Sequence, residues 1–80
     1  MTVKDAVAQR FAQICRSREI SINELATRSG VTPSTVYSMM DARRRELSIT
    51  TIKKLCDGLD MTLGEFFSTE DFDRLEQEIK

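Results

Sequence analysis

The stretch from Ser21 to Pro33 constrains this chain more than any other part of it. Ser21-Ile22-Asn23-Glu24 has the spacing of a capping box, in which a hydroxyl accepts the backbone N–H three residues on and the acid reaches back. Leu25 and Ala26 supply the apolar side of a short helix. Gly30 ends it, because glycine enters the left-handed conformation of a helix terminus without a Cβ penalty. Thr32-Pro33 starts the next helix at once. Threonine caps, and proline is pre-set for the first helical position, where its missing N–H costs nothing. Two helices joined by so short a glycine turn cross steeply, and the second is left projecting an outer face.

The remaining sequence reads as further helices around one core, which is all that an 80-residue chain can build. Thr2 and Asp5 form a capping box for a first helix running to about Ser17, with Val3, Val7, Phe11 and Ile14 as its buried stripe and Ala6 and Cys15 beside it. The helix opened by Thr32 runs from about Pro33 to Asp41, and a polar loop from Ala42 to Leu47 follows. Ser48 caps a fourth helix that buries Ile49, Ile52, Leu55, Cys56 and Leu59. Thr62 and Glu65 box a short fifth helix with Leu63, Phe66 and Phe67 as anchors. From Ser68, the sequence Ser68-Thr69-Glu70-Asp71 puts caps and acids at a helix start, and with Phe72, Leu75 and Ile79 following it predicts a short acidic C-terminal helix. The expected fold is therefore all-α and compact, with five helices in a domain over 1–67 and a helical acidic tail over 68–80.

Net charge is −1, but it is divided unevenly: residues 1–56 hold ten basic and five acidic side chains, and residues 57–80 hold two and eight. A basic body with an acidic end suggests a polyanion-facing surface on the first part. No apolar run is long enough for a bilayer span and the N-terminal residues lack a signal peptide's apolar core, so a cytoplasmic protein without a membrane partner is expected. With no His and no CxxC, Cys15 and Cys56 read as core thiols, and neither a metal, a cofactor nor an enzymatic activity is expected.

Helical geometry, about 100° per residue, fixes which side chains of the second helix of the pair face outward. With Val36 inward, Met39 and Met40 lie on either side of it. Ser34 and Ser38 fall nearly opposite, with Asp41 close by, and Thr35 and Tyr37 take the flanks. Short hydroxyl side chains fit a major groove roughly 12 Å wide, although an ordinary solvated helix face has the same composition.

The segments Ile20-Ser21-Ile22-Asn23-Glu24-Leu25-Ala26, Ser29-Gly30-Val31-Thr32-Pro33-Ser34-Thr35-Val36-Tyr37 and Ile52-Lys53-Lys54-Leu55-Cys56-Asp57-Gly58-Leu59 together resemble the phage repressor/Cro-type helix-turn-helix family, also called the XRE family. The resemblance spans about residues 5–67. It implies sequence-specific binding of double-stranded DNA, as a homodimer on a palindromic operator, to regulate transcription. Carried over position by position, it implies base-facing roles for Pro33, Ser34, Thr35 and Ser38. It implies phosphate contacts for Asn23, Thr32, Tyr37 and the loop arginines Arg43, Arg44 and Arg45, whose guanidinium forks suit phosphate oxygens.

Several positions depart from the family pattern. Ile22 stands where a phosphate-binding Gln is common, leaving Asn23 as the substitute. Cys15 and Met40 stand where relatives carry a buried Arg–Glu pair; with both partners apolar, no unpaired charge is left behind. Ala42 replaces a Gly that often ends the recognition helix. The base-facing set lacks Gln, Asn and Arg, which implies readout through DNA shape or bridging water. An alternative is a protein-interaction module of the same fold, acting through the acidic tail with Phe72, Leu75 and Ile79 as anchors. Nothing in the chain reads as a small-molecule domain.

Overall fold

A computed structural model describes residues 1–41, 43 and 47–79, and among these it contains helices but no strand. In chain order the helices are α1 (Val3–Arg18), α2 (Ile22–Ser29), α3 (Pro33–Met40), α4 (Ile49–Gly58), α5 (Leu63–Phe67) and α6 (Glu70–Asp73). Thr2, Ser21, Thr32, Ser48 and Thr62, read as caps, each accept the N–H of the third helical residue, whereas Thr69 at the start of α6 makes no side-chain cap bond. The box is reciprocal at Thr2 and Thr62. At Ser21 only the hydroxyl half forms, because Glu24 turns instead to Arg28 one helical turn later, at 3.0 Å. Gly30 takes the left-handed conformation (φ 68°) and its N–H returns to the end of α2, as the turn between α2 and α3 requires.

α2 packs against α4 and α3, α1 against α3 and α6, and α4 against α5. Their shared core is Val7, Phe11 and Ile14 of α1, Leu25 and Ala26 of α2, Val36 and Met39 of α3, Ile52, Leu55 and Cys56 of α4, with Leu59 and Phe66. Phe11 and Phe66 stack with ring centroids 4.3 Å apart, which ties α5 to α1. Arg10 reinforces that junction by donating to the Phe66 carbonyl at 3.0 Å. Arg18 does the same for α4, reaching the Leu59 carbonyl at 2.5 Å.

α2 and α4 approach so closely that a Cβ on Gly58 would stand 2.1 Å from Ser29 Oγ and 3.1 Å from Ser29 Cα. A Cβ there would displace the Ser29 hydroxyl and press on its backbone, so close contact favours glycine at this position. Cys15 and Cys56 are buried, unbridged thiols whose pKa values burial pushes up, as expected of core cysteines.

Three sequence expectations change. Val3 is 42% exposed and Ile49 60% exposed, so neither belongs to the core. Both are first residues of their helices, lying past the end of the packed layer. Next to them in sequence, Lys4 is buried, and Leu47 packs against the core from the residue before the Ser48 cap, the staple position for that helix. The tail helix stops at Asp73: Phe72 is partly buried against the core, whereas Ile79 is 87% exposed, so its stripe does not continue. With a single aromatic to bury, one turn of helix is all that packing supports.

Candidate nucleic-acid interface

α3 lies across α2 with Val36 and Met39 turned inward, and its outer side is polar. Pro33, Ser34, Thr35 and Tyr37 are exposed, Ser38 is half-buried and Asp41 is the C-cap. The helix therefore ends one residue short of the expected Asp41. Ser38 lies in the last turn, whose end is reached from α1: Lys4 donates its ammonium to the Asp41 carbonyl oxygen. A cation at that carbonyl complements the negative end of the helix dipole.

The amino end of α3 has a local order that side-chain spacing alone does not reveal. Thr32 Oγ1 lies 3.0 Å from Ser34 Oγ and 2.9 Å from Thr35 Oγ1, and it also accepts the Thr35 N–H at 3.3 Å. Three hydroxyls thus gather at one exposed helix start. These three bonds use the one donor and two acceptor positions of the Thr32 hydroxyl, whereas Ser34 and Thr35 retain hydrogen-bonding capacity toward solvent or a ligand. Asn23 is exposed near the start of α2, and among the described residues no side-chain hydrogen bond joins it to this cluster.

Arg43 is exposed and forms a two-pronged ion pair with Asp41, at 3.1 and 3.0 Å. This guanidinium holds the Asp41 carboxyl at about 2, well below its ordinary value. Arg44, Arg45 and Ala42 lie outside the described residues.

The two departures inside the fold have a clear physical form. Ile22 is partly buried against the core, so the position that often carries a phosphate-binding Gln is used here for packing. Cys15 is buried and Met40 packs against the same cluster, so apolar contact occupies the place of an ion pair.

Lys4 and Asp41 were not among the expected interface residues. Lys4 precedes Val7 and Phe11 by one and two helical turns, so its place on the buried stripe of α1 was readable from spacing. Its carbonyl partner, 37 residues away, was not.

A capped helix, a glycine turn and a second helix with an outward polar face define a helix-turn-helix domain. A model of the Cro/C1-type HTH DNA-binding domain matches residues 10–71, and the chain belongs to that family. Among solved structures it is similar to the prophage Lp1 protein 11, with a TM-score of 0.83 and 28% identity over 94% of this chain and 99% of that one. A search of curated proteins returned no match.

Proposed function

We propose that this protein regulates transcription by binding duplex DNA sequence-specifically, with α3 as the recognition helix in the major groove. The observation that carries this reading is the outward set of small polar side chains on α3, backed by a helix that buries its own apolar side. Pro33, Ser34, Thr35 and Ser38 face base edges. Thr32, Asn23, Tyr37, Arg43, Arg44 and Arg45 face the phosphates on either side. Short hydroxyls make single hydrogen bonds and contact thymine methyls, so discrimination relies partly on bridging water and on the shape of the duplex.

The protein acts in the cytoplasm as a homodimer on a palindromic site, which sets two copies of α3 about 34 Å apart on one side of the DNA. Action through the tail as a protein-binding helix is disfavoured. Its single helical turn uses Phe72 against Phe66 and Phe67, with ring centroids 5.9 and 4.8 Å away, and no apolar stripe remains for a partner.

Selection of bound sequences from a random duplex pool tests the reading. It should return a two-fold symmetric site, and binding to that site should weaken with salt by a log-log slope of about −0.9 per phosphate contacted. The triple reversal R43E/R44E/R45E should abolish binding. Undiminished binding by that variant would rule out docking through this loop.

A further inference from the structure

Among the described residues, the Arg43 guanidinium is held along one edge. Nε donates to Asp41 Oδ1 at 3.1 Å and Nη2 to Oδ2 at 3.0 Å, while the Arg43 backbone N–H adds a third bond to Oδ1 at 3.0 Å. Asp41 is fixed in turn from α1, where buried Lys4 donates to its carbonyl oxygen. The two members of the ion pair differ in exposure: the Asp41 side chain is 26% exposed and that of Arg43 is 90% exposed. The acid is therefore recessed and the guanidinium stands forward. A guanidinium has a second edge, formed by Nη1 and the remaining Nη2 hydrogen, and its two parallel donors match two phosphate oxygens. Among the described residues, no hydrogen bond engages Nη1.

We propose that Lys4 and Asp41 are positioning residues for DNA binding, which together hold Arg43 with its outer edge presented to a phosphate of the duplex. The proposal rests on the DNA-binding reading above and extends it to an acid and to a buried lysine.

Coulomb's law applied to Asp41 alone gives the opposite role, since an acid beside a phosphate repels it. Two features decide against that role here. The acid lies behind the cation it holds, and Lys4, Asp41 and Arg43 together remain positive. An ion pair this exposed contributes little to folding stability. Its effect falls on orientation, because a long side chain already held in one geometry loses less freedom when it docks.

Phosphate contacts are independent of sequence, so a duplex of mixed sequence serves as the probe and no operator is needed. Affinity is measured for the wild type, D41N, K4M, R43Q and D41N/R43Q, with thermal melts confirming that each is folded. D41N is nearly isosteric and should bind about three- to tenfold more weakly than wild type although it has lost a negative charge. K4M, which keeps the side-chain length, should lose affinity in the same direction.

In the R43Q background, adding D41N should not weaken binding, and loss of the now unpaired carboxylate can only tighten it. A purely structural role at the end of α3 would instead weaken binding whether or not Arg43 is present. Equal or tighter binding by D41N, or an equal loss with and without Arg43, overturns the positioning role and leaves the DNA-binding reading intact. A wild-type protein that does not bind the duplex at low salt overturns both.

Discussion

α2 and α3 have the same length, eight residues each, and both begin at a hydroxyl cap, yet the molecule uses them in opposite ways. α2 is packed on two sides, against α4 and α3: Leu25 and Ala26 are buried, Ile22 packs against the core, and Ser29 meets Gly58 of α4, while Asn23, Glu24, Thr27 and Arg28 remain exposed. α3 buries Val36 and Met39, packs Met40 against the core and leaves its first three residues exposed. One helix is a support, and the other is a surface mounted on it. Substitutions at the buried positions of α2 should therefore act mainly on folding, and those on the outer side of α3 mainly on binding.

The largest expected effect is from L25A, which empties the centre of the support and should cost about 2–5 kcal/mol of stability. Chemical denaturation would measure it. G58A follows: the added methyl meets Ser29, whose backbone must shift, and a cost of about 1–3 kcal/mol is expected from a calorimetric melt. A change within error would mean that the α2–α4 seam is looser than the contact distances imply.

Cap removal sharpens the comparison. T32A and T62A should each lose about 0.5–2 kcal/mol, but only T32A should also weaken DNA binding. S34A is the smallest perturbation, with stability unchanged within about 0.5 kcal/mol while the preference among selected duplexes shifts.

Acidity provides a further check. Arg43 lowers the Asp41 carboxyl from 3.8 to about 2, and capping hydrogen bonds from Thr2 and Thr62 lower Asp5 and Glu65. A depressed carboxyl contributes stability that is complete above its unfolded value and is lost as pH falls through its folded value. The melting temperature should stay level above the ordinary carboxylate range and decline from 3.8 toward about 2, with a shallower decline in D41N. These groups are exposed, so the decline is modest.

What was legible in the sequence was local. Thr2, Ser21, Thr32, Ser48 and Thr62 declare helix starts because a cap needs only a hydroxyl and the backbone three residues on. Gly30 declares its turn because a left-handed residue at a helix end needs only the absence of a Cβ. The outer side of α3 followed from periodicity once Val36 was taken as inward.

Long-range pairings were not legible. Lys4, Arg10 and Arg18 counted toward a basic body, yet each donates to a carbonyl on another element, at Asp41, Phe66 and Leu59. Part of the basic excess thus closes helix ends and junctions. A long side chain with an apolar stem can join a buried stripe while its charged tip finds an oxygen, which spacing permits but cannot locate. Periodicity also overstated Val3, Ile49 and Ile79, because it continues past the point where the core ends.

The central claim is that α3, the loop after it and the exposed start of α2 form the surface that meets DNA, carried by a body that does not. Backbone amide shifts recorded while duplex DNA is added test it residue by residue. The largest changes should fall on Asn23, Thr32, Ser34, Thr35, Ser38 and Arg43, with residues 70–79 unaffected. Changes concentrated in the acidic tail, or none on α3, would contradict the account.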